Sequence, residues 1–496
     1  MATDGTQRSY RAPCPGCGAP VEFKSAQSTH AVCSYCRSTV VRSGEVLTRV
    51  GKMAELFDDH SPLQLMVSGR VQWDGKDIRF TLVGRLQYKG DAGNWTEWAA
   101  FLDDGTLATL GEDNGAYVFT RPINPGREMP AAEHFRIGTT TVINGKPYSV
   151  AYTGQASLVS AQGELPKLPP LGQPFGMVEL RSADGEVVSI DYGHAPPSVE
   201  RGRAVLLDDL QLQGLKDESA KDESARKFNC PRCGAPVKVQ LDSTKSCTCL
   251  SCRSLIDLTS GIGGELRAAT QDEPVQPVIP LGAKGQLQGV HWQVVGFQHR
   301  MGVEPGDDEH FGWSEYLLYN RKRGFAFLVD SEEGWSLVRP TTGAPQLAGG
   351  GNTATYLGTT YRLKYRYDAE TTYVLGEFYW QVVRGQKTAN RDFESGKGLL
   401  SMEQSANEIT WSAGDKIASD TVVQAFGLQD KKDVLQRDDP GPFVAAKGVG
   451  CATVILIAVV ILILLVLLSN CTGSSGSGYR SSGGSYGGYS SGGSHK

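Results

Sequence analysis

The sequence lacks the short motifs by which many enzymes are recognised. It contains neither a G-x-x-x-x-G-K-[S/T] phosphate loop nor a His-Glu-x-x-His run, and histidine is scarce and scattered, with 8 among 496 residues. Gly448-Val-Gly450 lies at an apolar run rather than after a strand, so it does not fit a dinucleotide-binding turn. These absences argue against phosphate-loop and zinc-protease chemistry, and we expect a protein that is not an enzyme.

An apolar signal segment and a strong net charge are also missing. Residues 1–10 are polar, so we expect the cysteines to face a reducing cytosol, where thiolates persist. The formal net charge of −5 disfavours nucleic-acid binding by the chain as a whole. Residues 1–52 nevertheless carry seven Lys or Arg against three acidic residues. Nucleic-acid binding by the basic first ribbon, through Arg37 and Arg42, is therefore a further alternative.

What the sequence does contain is two matching sets of four cysteines, one opening each half of the chain. Both sets follow the spacing C-x2-C-x15-C-x2-C. Two Cys-x-x-Cys turns joined by a hairpin supply four soft ligands in a tetrahedron, and such a closed site is structural. Gly18 and Gly234 follow the second cysteine of each set, where a glycine lets the backbone turn back towards the thiolates. The sequence predicts two zinc ribbons, with ligands Cys14, Cys17, Cys33, Cys36 and Cys230, Cys233, Cys249, Cys252.

Disulfides, a redox dithiol or an iron site are the alternatives for these eight cysteines. Their identical spacing in two places and the expected cytosolic setting favour zinc. Cys247 aligns with Ala31 of the first half, so we interpret it as a bystander thiol. Cys451 and Cys471 flank an apolar segment and have no partner in the sequence.

The duplication extends well beyond the cysteines, at an offset of about 212 to 218 residues. The first half of the chain is therefore repeated in the second. The matching segments are Gly69-Arg-Val-Gln72 with Gly285-Gln-Leu-Gln288, Val83-Gly84 with Val295-Gly296, Trp95-Thr-Glu-Trp98 with Trp313-Ser-Glu-Tyr316, Gly163-Glu-Leu165 with Gly376-Glu-Phe378, and Gly202 with Gly414.

Each repeated unit has the sequence pattern of a β-rich domain. Short runs rich in β-branched and aromatic residues, such as 78–84 and 325–329, alternate with turn pairs such as Asp74-Gly75 and Asn144-Gly145. No amphipathic stretch of helical period reaches three turns between them. The fold class predicted is mainly β, with each unit a sandwich or a small barrel.

Near the C-terminus, residues 449–468 form an uncharged apolar run of twenty residues. At about 1.5 Å per residue, such a run spans the ~30 Å of a bilayer core, so it predicts a single transmembrane helix. Basic residues lie mainly on its N-terminal side, which predicts that the preceding units face the cytosol at a bacterial inner membrane. These residues are Lys431, Lys432, Arg437 and Lys447, against Arg480 alone over a similar distance on the other side.

The chain thus divides into eight predicted segments. The Gly-, Ser- and Tyr-rich composition after the apolar run predicts a disordered tail outside the membrane. The segments are zinc ribbon 1 (1–52), β-rich unit 1 (53–215), a charged linker (216–227), zinc ribbon 2 (228–262), β-rich unit 2 (263–430), a juxtamembrane linker (431–448), the transmembrane helix (449–468) and the tail (469–496).

Candidate ligand-binding residues are the carboxylates that recur at the same place in both units. In a strand, a tryptophan and a glutamate two residues apart point to one face, and a carboxylate beside an indole can have a raised pKa. The structural alternative is that each glutamate accepts hydrogen bonds at a domain edge while its tryptophan fills the core. The candidates are Glu97 with Trp95, Glu315 with Trp313, and the pair Glu164 and Glu377.

These motifs resemble an uncharacterised bacterial family catalogued only as a domain of unknown function. The resemblance rests on the ribbons, the Trp-x-Glu-[Trp/Tyr] strand and a Gly-Glu-Leu-Pro-Trp strand, here Gly163-Glu-Leu-Pro166 with Lys167 in place of Trp. The second unit reads Gly376-Glu-Phe-Tyr-Trp380. The resemblance implies β-rich units, singly or in pairs, and no particular reaction. Members of the family tend to be encoded beside polyamine-synthesis enzymes, small multi-pass membrane proteins and membrane-stress proteins of the phage-shock type. The resemblance therefore implies the same genomic setting for this chain.

Two functions follow as hypotheses. The first is a non-enzymatic, membrane-anchored scaffold whose duplicated units bind protein partners at the cytosolic surface, with two structural zinc ions. The second is a ligand-sensing or catalytic module for a cationic small molecule such as a polyamine, held by Glu97 or Glu315 beside aromatic rings.

Overall fold

The computed structural model describes most of the two repeated halves. The described residues are 10–23, 28–43, 46–52, 61–90, 94–113, 115–166, 168–215, 226–241, 244–258, 267–269, 271, 275–306, 308–406 and 408–437. The predicted transmembrane segment 449–468, the tail 469–496 and residues 216–225 of the predicted linker lie outside them. Within the described ranges, no helix has the length and apolar character that a bilayer crossing requires.

The first half is built from antiparallel strands, which confirms the mainly β prediction. Two short 3₁₀ turns, Ala132–His134 and Leu207–Leu210, interrupt them. The strands are β1 (Tyr10–Pro13), β2 (Pro20–Phe23), β3 (His30–Val32), β4 (Ser38–Ser43), β5 (Val46–Lys52), β6 (Ser68–Trp73), β7 (Lys76–Gly90), β8 (Asn94–Leu102), β9 (Leu107–Asp113), β10 (Ala116–Pro122), β11 (Thr140–Ile143), β12 (Lys146–Leu165), β13 (Phe175–Arg181), β14 (Glu186–Asp191) and β15 (Ser198–Val205).

The sheet of the first unit closes on itself. Starting from β7, the strands pair in the order β8, β9, β10, β15, β14, β13 and β12, and β12 then pairs back with β7. The length of β12 permits this closure, because residues 149–156 pair with β13 while residues 157–163 pair with β7. The eight strands form a small closed sheet, which is the barrel of the two architectures predicted.

The second half repeats these elements and adds a helical end. Two 3₁₀ turns lie at Gly349–Gly351 and Gln429–Lys431, and two helices follow the last strand, α1 (Ser419–Phe426) and α2 (Lys432–Leu435). The strands are β16 (Arg226–Asn229), β17 (Pro236–Val239), β18 (Ser246–Thr248), β19 (Leu255–Asp257), β20 (Arg267–Ala269), β21 (Lys284–Leu287), β22 (Val290–Val303), β23 (His310–Asn320), β24 (Gly324–Ser331), β25 (Gly334–Pro340), β26 (Gln346–Ala348), β27 (Thr353–Tyr356), β28 (Thr359–Phe378), β29 (Lys387–Ser395), β30 (Gly398–Gln404) and β31 (Ile409–Ile417).

The second unit closes in the same order as the first. From β22 the pairing runs through β23, β24, β25, β31, β30, β29 and β28, and β28 pairs back with β22. Each strand in this ring corresponds to one strand of the first unit. The internal repeat seen in the sequence is therefore confirmed at the level of strand pairing.

Each ribbon is divided between a free hairpin and the closed sheet beside it. The hairpins β1–β2 and β16–β17 form separate two-stranded sheets. In contrast, β3 pairs with residues 163–165 at the end of β12, and β18 pairs with residues 377–378 at the end of β28. The second half of each ribbon thus extends the sheet of its unit.

Glycine is required where the ribbon, β7 and β12 meet. Gly163 and Gly376 have φ of 80° and 88°, a left-handed backbone conformation that side chains other than glycine rarely adopt. A Cβ atom on Gly84 would lie 1.9 Å from the carbonyl oxygen of Glu164. The repeated Gly-Glu motif therefore marks a backbone crossing in both units.

The last described residues complete the core of the second unit. Val422, Val423 and Phe426 on one face of α1 pack into its main apolar cluster. Leu435 is fully buried and its carbonyl oxygen accepts a hydrogen bond from Trp335 Nε1 at 2.8 Å. The folded unit thus continues to residue 437, into the stretch that the sequence analysis assigned to the juxtamembrane linker.

The two units contact each other directly. Arg323 of the second unit lies 2.9 Å from the carboxylate of Asp208 in the first. The backbone N–H of Leu357 donates to the carbonyl oxygen of Ala183 at 3.0 Å. These contacts bring the two closed sheets to either side of a shared cleft.

Candidate functional site

The eight predicted ligand cysteines come together as two compact clusters. In each cluster the four sulfur atoms lie within 4.8 Å of one another. The closest pairs are 3.7 Å apart in both clusters, for example Cys14 Sγ to Cys36 Sγ and Cys230 Sγ to Cys252 Sγ. Four sulfurs at about 2.3 Å from a central zinc would be about 3.8 Å apart, whereas a disulfide needs about 2.05 Å. The clusters fit a tetrahedral metal ion and are compatible with zinc.

Tight turns aim the sulfurs at one point. Gly18 and Gly234 adopt φ of 77° and 73°, which allows each N–H to donate to the carbonyl oxygen of the first cysteine of its turn. Arg37 and Arg253 follow the fourth cysteine of each set, and both adopt φ of 57°. The two turns of a ribbon therefore have the same local geometry, although only one of them contains glycine.

One thiol in each cluster has a lowered pKa. The hydroxyl of Ser38 lies 3.1 Å from Cys36 Sγ, and that of Ser254 lies 3.3 Å from Cys252 Sγ. Hydrogen bonding to these serines lowers the pKa of Cys36 and of Cys252 to about 6. Since the thiolate is the metal-binding form, each site has a ligand that ionises near neutral pH.

Among the described residues, Cys247 is the remaining cysteine, and it lies outside the cluster of its ribbon. Cys247 is buried in the ribbon core and pairs across the sheet with Glu377, just as Ala31 pairs with Glu164. This register matches the alignment of Cys247 with Ala31. Cys451 and Cys471 lie outside the described residues.

Glu377 ties the second ribbon to its unit. Its carboxylate accepts hydrogen bonds from the backbone N–H groups of Gln240 (2.8 Å) and Leu241 (2.9 Å) and from the hydroxyl of Thr244 (2.7 Å). Glu164 occupies the same place in the first unit and is 4% exposed. Both residues lie on the strand end that pairs with the ribbon, which is the edge role considered as the structural alternative.

Replacing Glu377 by glutamine is expected to loosen the second ribbon without removing its metal. Hydrogen bonds to a charged group contribute about 1.5–3 kcal/mol each, and a neutral amide can accept them only weakly. Amide hydrogen exchange at Gln240 and Leu241 should accelerate about tenfold or more, while the zinc content stays unchanged. Asp368→Asn, an exposed position on the same strand, is the matched control. Unchanged exchange in Glu377→Gln would contradict this role.

The Trp-x-Glu strands place each indole against its glutamate. Trp95 Nε1 donates to Glu97 Oε1 at 3.0 Å, and Trp313 Nε1 donates to Glu315 Oε1 at 2.7 Å. Trp313 and Glu315 are both buried, whereas Trp95 and Glu97 are half-buried and line the cleft. The equivalent pairs therefore have different access to solvent.

Arg300 neutralises the carboxylate of the second unit. It is 3% exposed, and its guanidinium lies 2.8 Å from Glu403 Oε2 and 3.7 Å from Glu315 Oε1. It also donates to the hydroxyl of Thr388 at 2.9 Å. Gln298 donates to the second oxygen of Glu315 at 2.5 Å. Arg300 and Glu403 were not among the candidate residues predicted from the sequence, and Glu315, one of the two predicted cation-binding residues, already has an internal cation.

The first unit has several acidic groups near Glu97. Burial, followed by the negative charges of Glu200, Asp191 and Glu179, raises the pKa of Glu97 to about 8. Burial likewise raises the pKa of Asp191 to about 6 and that of Glu200 above its ordinary value. Tyr88, which pairs with Trp95 across the strands, is stacked on its ring at a centroid distance of 5.2 Å. Glu97 therefore lies among aromatic rings and carboxylates.

A cleft of about 1980 Å³ lies between the two units and reaches Glu97. Both closed sheets line it, as do Gln240, Leu241, Thr244 and Lys245 of the second ribbon. Lys245 of that ribbon interacts electrostatically with Asp113 of the first unit, and burial lowers the pKa of Lys245. The second ribbon is thus part of the cleft wall.

The basic residues of the first ribbon are engaged at least in part within it. The Arg42 guanidinium lies over the rings of Tyr10 and Phe23, at 5.5 and 5.2 Å from their centroids. Such cation–π contacts stabilise a small module. The positive charge of Arg42 therefore has a structural role in the ribbon.

Comparison with known families gives one match per unit. The family described as Domain of unknown function (DUF4178) matches residues 67–206 and 280–419. These ranges run from β6 to β15 and from β21 to β31, so they contain the two closed sheets and exclude the cysteine clusters. Curated proteins include no match to this chain.

Proposed function

Because the chain belongs to this family of unknown function, its role has to be inferred from its own residues, and we propose that it is a zinc-stabilised, non-enzymatic scaffold. The proposal is that it binds a partner in the cleft between its two units. This proposal is supported mainly by the cleft of about 1980 Å³, which both closed sheets and the second ribbon line together. Duplicated units joined in this way provide one binding surface that neither unit has alone.

The proposal includes a position at the bacterial inner membrane, with the units in the cytosol. Residues 449–468 would form the anchor, and the excess of Lys and Arg before this segment supports the cytosolic orientation. The folded part of the second unit extends to residue 437, so roughly 11 residues connect it to the apolar segment. At no more than ~3.6 Å per residue, they hold the unit within about 40 Å of the bilayer. A partner at the membrane surface would meet the cleft at a high local concentration.

Site-specific photo-crosslinking of the full-length chain in inner-membrane vesicles tests both parts. A photoreactive residue at Lys322, an exposed position that lines the cleft, is expected to give a discrete partner adduct. The same residue at Val142, which is 49% exposed on β11 and does not line the cleft, is the control. Absence of any adduct specific to Lys322 would count against partner binding in the cleft. Recovery of the chain outside the membrane fraction would count against the anchor.

A further inference from the structure

The strand registers of the two units identify equivalent residues around Glu97 and Glu315. Tyr88 pairs with Trp95 in the first unit, and Arg300 pairs with Trp313 in the second, so Tyr88 and Arg300 occupy the same position. The repeated glycines Gly202 and Gly414 pair with Val187 and Leu399. Four residues further along the same strands lie Asp191 and Glu403, which are therefore also equivalent.

In the second unit, this position is filled by a cation that belongs to the chain. The guanidinium of Arg300 contacts the carboxylates of both Glu315 and Glu403. Its central carbon lies 5.5 Å from the ring centroid of Trp313. The planar, charged fork of a guanidinium suits this combination of two carboxylates and an indole.

The first unit keeps the carboxylates and the indole and replaces the arginine by tyrosine. Glu97 and Asp191 stand where Glu315 and Glu403 stand in the second unit, and Glu200 adds a third carboxylate. Thr109 and Thr120 donate hydrogen bonds to Glu200. Trp95, Glu97, Thr109, Thr120 and Glu200 line the cleft, and the buried ring of Tyr88 packs against Trp95 and Phe175.

Two basic side chains lie near these carboxylates. Arg181 contacts Glu179 at 3.0 Å. The imidazole of His194 lies 3.8 Å from Asp191, whose other oxygen accepts the N–H of Gly193 at 2.6 Å. Glu97 itself receives a hydrogen bond from Trp95. By strand register, Glu97 and Asp191 are the acceptors equivalent to those that hold a guanidinium in the second unit.

We propose that the first unit binds the guanidinium or primary ammonium group of a small ligand at Glu97 and Asp191, beside Tyr88 and Trp95. Arg300 is the built-in counterpart of this ligand in the second unit, so the chain has one open site and one closed site. The inference rests on the proposed function, because it names a ligand class for the cleft. It differs from the sequence expectation in excluding Glu315 as a ligand residue.

Calorimetry on the full-length protein in detergent tests this inference with a matched pair of probes. Ethylguanidinium chloride supplies the planar cation, and ethylurea supplies a neutral molecule of almost the same shape. Wild-type protein is expected to bind ethylguanidinium at least about tenfold more tightly than ethylurea. Glu97→Gln should remove this preference, whereas Glu408→Gln, in the same cleft but outside the carboxylate group, should retain it.

A second variant introduces into the first unit the arginine that occupies this site in the second unit. Tyr88→Arg places a guanidinium at the position of Arg300 and is expected to abolish ethylguanidinium binding while zinc content and cooperative melting are retained. If Tyr88→Arg does not fold, Asp191→Asn provides the same readout through a weakened carboxylate pair. Equal affinity of wild-type protein for the two probes, or unchanged binding in Glu97→Gln, overturns the inference. The crosslink at Lys322 is measured independently, so it distinguishes this failure from failure of the scaffold proposal.

Discussion

Replacing Cys233 and Cys249 together by serine is expected to reduce the metal content from two zinc ions per chain to one. Two sulfurs cannot hold a structural zinc, because the tetrahedral site needs four strong ligands. Zinc binding to small modules is worth on the order of 10 kcal/mol and is coupled to their folding, so the second ribbon should lose its structure. The check is mass-spectrometric metal analysis of protein purified without chelator.

The same variant should melt at a temperature lower by on the order of 10 °C, because the second ribbon is joined to β28 and to the cleft wall. Cys247→Ser is the matched control: this residue is a buried cysteine of the same ribbon that lies outside the cluster, so both zinc ions should remain. Two zinc ions in the double variant, or a loss of metal in the control, would show that the clusters are not the metal sites.

Replacing Glu97 by glutamine is expected to stabilise the protein at pH 8, whereas the same change at Glu315 should destabilise it. The folded-state pKa of Glu97 is about 8, against an ordinary value of 4.5. When folding raises the pKa of a carboxyl group, ionisation of that group lowers the stability of the native state, and this loss grows as the pH rises from 4.5 to 8. Glutamine cannot ionise, so the variant does not lose this stability. Because one pKa unit corresponds to about 1.4 kcal/mol and Glu97 retains some access to cleft water, we expect a gain of about 2 kcal/mol.

The carboxylate of Glu315 is paired with Arg300. Replacing Glu315 by glutamine removes this carboxylate from Arg300 and places a second amide against the amide donor of Gln298. We therefore expect the free energy of unfolding to fall by about 1–3 kcal/mol. Denaturant unfolding of both variants and the wild type between pH 4 and pH 9 makes the comparison. The Glu97→Gln difference should be close to zero at pH 4 and grow towards pH 8. A stabilisation of equal size at pH 4, or effects of the same sign at both positions, would contradict the assigned electrostatics.

Local patterns predicted the parts of this fold that depend on short spacings. The Cys-x-x-Cys pairs specified two clusters because each turn fixes the direction of its own sulfurs. Repeated segments such as Trp95-Thr-Glu-Trp98 predicted the duplication, and the alternation of the strands predicted indole and carboxylate on one face. Closure of the sheet through β7 and β12 was left open as one of two architectures, because it depends on pairing between strands distant in sequence.

The electrostatic difference between the units was hidden for the same reason. Continuing the alignment from Gly84 and Gly296 without a gap would have placed Tyr88 and Arg300 together, but the ion pair of Arg300 with Glu403 joins residues distant in sequence. The role of Glu377 was also invisible, since its hydrogen-bond donors at residues 240–244 are more than 130 residues away. The contacts of such residues can be recognised only when the register of the sheet is known.

The union of each ribbon with its sheet has a consequence for how the protein would respond to metal starvation. Strands β3 and β18 cover the ends of β12 and β28, whose backbone N–H and C=O groups would otherwise form an exposed sheet edge. Exposed edges of this kind pair readily with other chains and begin aggregation. A metal ion held in each cluster would therefore protect the sheet border, and we expect chelation to convert separate molecules into edge-to-edge assemblies before the closed sheets themselves unfold.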